Sequence, residues 1–539
     1  MTSANTRAYA PLEPSWSRFH VFAAPIASSS GAGAAAGDSA QNSHPYNRQY
    51  SHVYSARLQL LRKRCIQNAQ QALKDNGLEL NADVVDRIIE VKEGTLSILV
   101  GTVVKEMDPK RRPQVKGSYT DASAQTFLFP SDGNEAEKQE PLRPCMFDKE
   151  KGDVLHLEDE SGRVELSPDA VEVGDAKNTS TLDPNKVATG IVAAVVGKVD
   201  AATGVMHVYS IHFAGPPPVE TVARKEGLRG ASIDNDKEKG DPILLLVSGL
   251  GCGSDSPTDA QTGASLSLRR EMLLDYLTDP KLGDGSSICR VVVAGGGITA
   301  PVNTTEDKEN TQKTSSNNST KSKSGKYEST SNVTFSLREL DLYLTEILSS
   351  GIPVDYIPGW NDPTNANWPQ RPLHSCLLPN SVAFVDLFRR STNPYESACS
   401  GVTVLGSDGL NVADLRRFLP NIEVTDEGTD GKVSPSSSID ALQQTFNISH
   451  MAPTGPDSLP MFPSSESDPF LMTSRPSVYF AGNCDEFEAR LVGDKGESID
   501  NIEDGATRLV CVPSFASTGE VVQVNLRTLE CEVISFNDV

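Results

Sequence analysis

The sequence predicts an α+β protein with two folded domains, a small β-barrel of the OB type followed by a layered α/β domain. Two patterns carry this prediction. Short β-patterned runs without intervening helices fill residues 94–215, which is typical of a small barrel. From residue 243 onward, short all-apolar runs alternate with helical patterns, which is typical of buried strands in an α/β domain. At roughly 100–200 residues per domain, the 539 residues accommodate two to four domains.

The chain before the barrel divides into two segments. Residues 1–46 are rich in Ala, Ser, Gly and Pro and can bury little apolar surface, so we expect a disordered tail. Residues 47–93 are expected to be helical, because apolar side chains recur at helical spacing from Tyr50 to Leu61 and a second helix fits 82–91. One face of the first helix is basic, and we interpret it as solvated rather than as a nucleic-acid contact. Its cations are Arg57, Arg62, Lys63 and Arg64.

The predicted barrel spans residues 94–215. Its expected strands are 96–100, 154–157, 163–166, 189–196 and 206–211. A barrel that binds single-stranded DNA needs aromatic side chains interleaved with cations along one strand face. Aromatic residues are few in this region, so a structural or subunit-docking barrel is favoured over a DNA-binding one.

The predicted α/β domain spans residues 216–539. Its expected strands are 243–247, 290–294, 352–357, 401–405, 477–481, 508–512 and 521–526. An apolar stripe predicts a helix from Ser336 to Ser349 with Ser336 as its N-cap. Residues 303–332 are rich in Ser, Thr, Asn and Lys and nearly devoid of apolar residues, so we expect a disordered insertion there.

Bulk composition excludes several classes of function. The formal net charge of -23 and the sequence pI of about 4.8 disfavour free binding to a phosphate backbone. The nine cysteines form no CxxC pair and are scattered singly, which indicates a reducing compartment rather than a disulfide framework. The chain contains no apolar run long enough for a membrane span and no signal pattern at its N-terminus.

The segments that follow the α/β strands have the layout of a two-metal phosphoesterase without its ligands. In such enzymes, strand ends deliver Asp, His and Asn ligands to two cations about 3.5–4 Å apart. Here Gly249, Gly251 and Gly296 stand where three of these ligands would be, and glycine cannot coordinate a cation. Asp362 and His450 remain, but two ligands are too few to hold two cations. We therefore expect no catalytic residue, no metal and no cofactor. Residual metal binding by Asp362, His450, Asn483 and Asp485 stays open. The expected vestigial site comprises Gly249, Gly251, Gly296, Trp360, Asn361, Asp362, His450, Asn483 and Asp485.

Several collinear motifs carry a family resemblance. The chain resembles the B-subunits of eukaryotic replicative DNA polymerases, the delta type in particular, and these are similar to inactivated calcineurin-like phosphoesterases. The resemblance covers residues 48–539 except the insertion. The motifs include Val247-Ser-Gly-Leu-Gly251, Ile352-Pro-Val-Asp-Tyr-Ile-Pro-Gly-Trp-Asn-Asp362, Thr392-Asn-Pro-Tyr395, His450-Met-Ala-Pro-Thr-Gly-Pro-Asp457 and Val478-Tyr-Phe-Ala-Gly-Asn483.

The resemblance implies an OB-fold next to an inactive phosphoesterase-like α/β sandwich. It also implies a nuclear, non-catalytic accessory subunit that scaffolds the C-terminal domain of the polymerase catalytic subunit and a further accessory subunit, for DNA replication and repair synthesis. DNA would then be contacted only indirectly, through the complex, and no membrane would be involved. The alternatives are a B-subunit of polymerase alpha or epsilon, an active metal-dependent phosphoesterase, and a single-strand DNA-binding module. The sequence does not identify the partner-binding residues.

Overall fold

The computed structural model describes twelve stretches of the chain. They are residues 49–75, 82–108, 145–168, 171–173, 176–178, 181–219, 241–253, 266–278, 288–299, 324–422, 433–463 and 467–537. The expected tail at 1–46 and the part of the expected insertion at 303–323 lie outside the described residues.

The described residues form helices and strands in the following chain order. The helices are α1 (Ser51–Asp75), α2 (Leu266–Thr278), α3 (Ser324–Ser349), α4 (Leu410–Arg416), α5 (Ser438–Asn447) and α6 (Phe515–Thr518). The strands are β1 (Asp83–Val84), β2 (Leu96–Glu106), β3 (Val154–Glu158), β4 (Arg163–Ser167), β5 (Val171–Val173), β6 (Ala176–Asn178), β7 (Val192–Val199), β8 (Met206–His212), β9 (Ile243–Val247), β10 (Ile288–Ala294), β11 (Val354–Ile357), β12 (Phe388–Arg390), β13 (Tyr395–Cys399), β14 (Val402–Ser407), β15 (Pro420–Ile422), β16 (Val433–Pro435), β17 (Val478–Cys484), β18 (Glu488–Val492), β19 (Thr507–Pro513), β20 (Glu520–Asn525) and β21 (Cys531–Ser535). Each strand predicted from the sequence overlaps one of these.

Strands β2, β3, β4, β8 and β7 form a closed barrel. Closure follows because β2 pairs with β3 on one side and with β7 on the other, both antiparallel. Alternate side chains of β2 separate two apolar clusters. Leu99 and Val103 lie with the barrel interior, whereas Ile98 and Val100 pack against α1 on the outer face.

The α/β domain consists of two facing sheets with helices outside each. The first sheet has the order β12-β11-β10-β9-β20-β21, and the second has the order β13-β14-β17-β19-β18. Side chains such as Leu246 and Val292 meet Phe480 and Val510 between the sheets. Helices α2 and α3 cover the outer face of the first sheet, and α4 and α5 cover that of the second. The domain therefore has four layers, and the parallel strands β9, β10 and β11 end at one edge.

The helix predicted at 82–91 is wrong. Residues Asp83–Val84 form a strand that pairs in parallel with β2, and only a short 3₁₀ turn follows at Ile88–Glu90. The turn that follows β3 accounts for the difference. The carboxylate of Asp159 accepts the N–H of Ile88 at 2.8 Å, so this donor is satisfied outside any helix. Tertiary hydrogen bonding thus overrides the local helical spacing.

The N-cap assigned to Ser336 is also wrong. Helix α3 begins at Ser324, so residues 324–332, which were expected to belong to a disordered insertion, are helical. Ser336 is buried inside the helix, where it lies against the loop after β9, and a side chain at Gly253 would overlap its hydroxyl. Val333 packs against the cluster on the outer face of the first sheet, which extends the apolar stripe beyond Ser336.

The basic face of α1 is solvated only in part, because Lys63 is exposed whereas two arginines of this face bind the rest of the protein. Arg57 is fully buried, and its Nη1 and Nη2 atoms donate to the carbonyls of Pro453 and Gly455 at 3.2 and 2.6 Å. Arg64 Nη2 donates to the carbonyl of Gly215 at 2.9 Å and to Ser449 Oγ at 3.1 Å. These cations dock α1 onto the barrel and the α/β domain.

Candidate functional site

The loops that follow the parallel strands of the first sheet continue its pairing. The N–H of Gly249, after β9, donates to the carbonyl of Gly295, after β10, at 2.9 Å. The N–H of Gly251 donates to the carbonyl of Gly296 at 3.0 Å. The residues predicted from the first two strand ends therefore lie together, in backbone-to-backbone contact.

The glycines at this edge leave no space for a side chain. Gly249 and Gly296 both have left-handed backbones, with φ of +65° and +67°. A Cβ atom at either residue would lie 2.9 Å from Asn483 Oδ1, and at Gly249 it would also overlap the Ser514 hydroxyl. At Gly295 a Cβ atom would lie 2.6 Å from Asp408 Cβ. Because real Cβ atoms essentially never approach that closely, these positions require glycine.

Asn483 joins the two sheets at this point. Its Nδ2 donates to the carbonyl of Asp408 at 2.9 Å and to that of Ala294 at 3.2 Å. Its own N–H donates to Ser248 Oγ at 2.9 Å. The residue adopts φ of 48°, a conformation that Asn tolerates better than most residues. Asn483 therefore lies beside Gly249 and Gly296 and makes structural hydrogen bonds there.

Asp362 lies on the turn that follows β11. Its Oδ2 accepts the N–H of Gly359 at 2.7 Å, and its Oδ1 accepts the N–H of Ile298 at 3.3 Å. Burial raises the pKa of Asp362 to about 6, even though both of these hydrogen bonds favour the charged form. Trp360 and Asn361 are half-buried on the same turn. The carboxylate of Asp362 thus holds the backbone of two strand-end loops.

Sequence reasoning missed two polar residues of this site, Asp408 and Asn393. Asp408 follows β14 and is buried, and its Oδ1 accepts Asn393 Nδ2 at 2.7 Å and the N–H of Leu410 at 3.2 Å. Burial raises the pKa of Asp408 to about 6. The available signal was an acidic residue directly after the apolar strand β14.

His450 does not contact the strand-end glycines but pairs with Asp468. Its Nε2 lies 2.8 Å from Asp468 Oδ2, and its Nδ1 accepts the N–H of Ala452 at 3.1 Å. The proton therefore sits on Nε2, and the ring donates to Asp468. Burial by itself would raise the pKa of Asp468, but Arg57 and His450 outweigh that effect and hold the pKa well below its usual range. Asp485 forms an ion pair with Arg416 at 2.8 Å near the surface.

The described residues hold no metal-ligating cluster of the usual kind. Within the described ranges, no three His, Cys, Asp or Glu side chains are grouped so that they could hold a metal ion. Cys252, in the Gly-rich loop after β9, is buried, and burial raises the pKa of its thiol to about 12. A thiol with that pKa stays protonated at neutral pH and is a poor nucleophile. No helix in the described part of the chain is long and apolar enough to cross a membrane.

Comparison with known families agrees with this architecture. Residues 49–211 match the family described as the DNA polymerase delta subunit OB-fold domain, and residues 244–489 match the family of DNA polymerase alpha/epsilon B-subunits. This chain therefore has the architecture of a DNA polymerase B-subunit. That architecture consists here of a closed barrel joined to a two-sheet domain whose strand-end loops carry glycines.

Relatives that match over about nine-tenths of their length identify the type of polymerase B-subunit. The DNA polymerase delta small subunit of Arabidopsis thaliana is 32% identical over 91% of this chain and 91% of its own length. That of Oryza sativa subsp. japonica is 31% identical over 91% and 93%, and that of Saccharomyces cerevisiae is 28% identical over 91% and 90%. The chain belongs to the DNA polymerase delta small-subunit family and is an accessory subunit of DNA polymerase delta. The resemblance drawn from the sequence motifs is confirmed.

Proposed function

We propose that the chain is a non-catalytic scaffold within the polymerase delta complex. It holds the C-terminal domain of the catalytic subunit and a further accessory subunit, for DNA replication and repair synthesis in the nucleus. The α/β domain, on this proposal, is an inactivated calcineurin-like phosphoesterase whose metal site is vestigial. The observation that carries the proposal is the closed strand-end edge, where Asn483 occupies the space in front of Gly249 and Gly296.

Three features of the edge support the loss of activity. A metal ligand at Gly249 or Gly296 would need a side chain where the backbone and Asn483 already lie. The carboxylate of Asp362 is surrounded by backbone N–H donors rather than by other ligands. A bimetal centre needs several side-chain ligands at once, whereas the two carboxylates at this edge, Asp362 and Asp408, already accept hydrogen bonds from backbone N–H groups and from Asn393.

Electrostatics supports an indirect relation to DNA. The formal net charge is -23, which repels a phosphate backbone. Two of the four cations on the basic face of α1, Arg57 and Arg64, donate to carbonyls of the barrel and the α/β domain. Recognition of protein partners through buried anchor residues is the mechanism that remains for a scaffold.

Co-expression with the C-terminal domain of a polymerase delta catalytic subunit tests the proposal. We expect a stoichiometric complex by size-exclusion chromatography with light scattering, and no phosphodiesterase activity of the free chain in Mn²⁺. A matched variant, Asp362→Asn, separates the two alternatives. Hydrolysis by the unmodified chain that is abolished in this variant would establish an active phosphoesterase, and absence of a complex would overturn the scaffold.

A further inference from the structure

Two cysteine thiols face each other across the two sheets of the α/β domain. Cys289 lies on β10 in the first sheet, Cys399 ends β13 in the second, and their Sγ atoms are 3.7 Å apart. They are separated by 110 residues in the chain. Cys399 is buried and Cys289 is half-buried, and both are free thiols.

We propose that Cys289 and Cys399 form an oxidation site, at which a peroxide converts the two thiols into a disulfide that ties the two sheets together. The Cys399 thiolate attacks one peroxide oxygen and the O–O bond breaks. With hydrogen peroxide the departing hydroxide takes up a proton from solvent, so the products are a sulfenic acid and water. The Cys289 sulfur then attacks Cys399 Sγ, forms the S–S bond, and releases the sulfenic oxygen as a second water. The two sulfurs lose two electrons in total, and the peroxide gains them.

The surroundings assign the two cysteines different roles. The contact with the Cys289 sulfur and the nearby positive charge of Arg290 lower the pKa of Cys399 to about 7. The same contact and burial raise the pKa of Cys289, whose thiol also lies 3.2 Å from the carbonyl of Ile243. The thiolate is the reactive form of cysteine, so Cys399 reacts first and Cys289 resolves the sulfenic acid.

The pair lies beside an opening in the sandwich. A cavity of about 610 Å³ is lined by Ile243, Arg508 and a third cysteine, Cys531, among other residues; neither cysteine of the pair lines it, and Cys289 adjoins it only through Ile243. Ile243 is the residue whose carbonyl contacts the Cys289 thiol. A small oxidant such as hydrogen peroxide can therefore reach this end of the sandwich. A disulfide bond is roughly 2.0 Å long, so the two sulfurs must come closer by side-chain rotation.

Peptide mapping of the full chain after peroxide treatment tests the proposal directly. Reduced protein is treated with hydrogen peroxide, alkylated in denaturant, digested without reductant and analysed by mass spectrometry. We expect a linked peptide pair containing Cys289 and Cys399, with two of the nine thiols protected from alkylation. Dithiothreitol should restore both thiols.

Two variants sharpen the result. Cys289→Ser should abolish the linked pair and leave Cys399 oxidised to sulfinic acid, because the resolving thiol is gone. Cys376→Ser removes an exposed cysteine and should leave the linked pair unchanged. Oxidation of Cys376 in the unmodified chain without any Cys289–Cys399 link would overturn the proposal, as would a link from Cys399 to another cysteine. Because the mapping of the unmodified chain needs no variant, a folding defect cannot obscure the outcome.

Discussion

The Arg57 guanidinium, in the first helix, is bonded through Nε to the carboxylate of Asp468, 411 residues later in the chain. Both side chains are 0% exposed. His450 shares the same carboxylate oxygen, so one acid joins α1 to two segments of the α/β domain. A buried ion pair gains from the low dielectric only when its remaining donors are satisfied, and here the other guanidinium nitrogens donate to the carbonyls of Pro453 and Gly455.

Arg57→Met should destabilise the protein strongly. The substitution leaves the buried Asp468 charge with His450 as its partner and leaves two buried carbonyls without their donor. Breaking one partner of a buried ion pair costs about 3–5 kcal/mol, and urea unfolding measures that loss. Arg490→Met is the matched control, because Arg490 pairs with Asp440 at the surface, and we expect a loss of about 1 kcal/mol or less. Equal losses in the two variants would contradict a structural role for the buried pair.

Two buried carboxylates at the strand ends have raised pKa values, which predicts that the stability of the protein depends on pH. Asp362 and Asp408 have a pKa of about 6 in the folded protein, whereas an unfolded Asp has a pKa of about 3.9. Between these values the folded state binds more protons than the unfolded state. The free energy of unfolding should therefore gain on the order of 3 kcal/mol per group in total as the pH falls from above 6 to below 4.

Asp408→Asn isolates one of these contributions, since histidines titrate in the same range. The amide keeps an oxygen that can accept Asn393 Nδ2 and the N–H of Leu410, and it removes the titration. Urea unfolding at pH 7 and pH 5 should show that the stability difference, unmodified chain minus variant, grows at the lower pH. A difference that stays constant with pH would mean that Asp408 does not titrate there.

We expect position 249 to require glycine for two reasons. Its backbone is left-handed, and neighbouring atoms leave no space for a side chain. Gly249→Ala meets the Ser514 hydroxyl and Asn483 Oδ1, whereas Gly94→Ala, at a similar φ of +72°, meets nothing within 4 Å. Both variants incur the left-handed cost of roughly 1–2 kcal/mol. Overpacking should cost Gly249→Ala a further ~1–3 kcal/mol in thermal or urea unfolding.

The double variant Gly249→Ala/Ser514→Ala tests the cause of that loss. Removing Ser514 Oγ takes away the nearest atom to the new methyl group, so part of the stability should return. Strictly additive losses from the two substitutions would show that the crowding does not arise from this hydroxyl.

Local sequence pattern was sufficient where a strand is buried on both faces. Ile243–Val247 is an uninterrupted apolar run between Pro242 and Gly249, and the structure has a strand with those same bounds. The meeting of Gly249 and Gly296 was also predictable, because the carboxyl ends of neighbouring parallel strands meet at one edge, whereas Asn483 comes from β17 of the facing sheet.

What escaped prediction depended on partners that are distant in the chain. The burial of Arg57 could not be inferred without knowing that Asp468 lies beside it. Asp408 precedes a glycine and resembles an ordinary turn residue, and its partner Asn393 belongs to a separate loop. The spacing of residues 82–91 suits a helix, but their donors and strand pairing are set by β2 and Asp159.

Lys105 links the barrel to the α/β domain and predicts a second pH effect, of opposite direction. It lies on β2, is 2% exposed, and donates through Nζ to the carbonyl of Phe418 at 3.3 Å. Burial lowers the pKa of Lys105 to about 8, below the value of about 10.4 in an unfolded chain. The cost of burying the ammonium is present in full below pH 8 and is relieved as the pH rises toward 10.

The unmodified chain should therefore gain on the order of 3 kcal/mol relative to Lys105→Met between pH 7 and pH 10. Lys63→Met, at an exposed position on α1, controls for the loss of a lysine, and urea unfolding of all three proteins at both pH values measures the effect. A Lys105→Met difference that does not change with pH would mean that this lysine is not desolvated at the junction of the two domains.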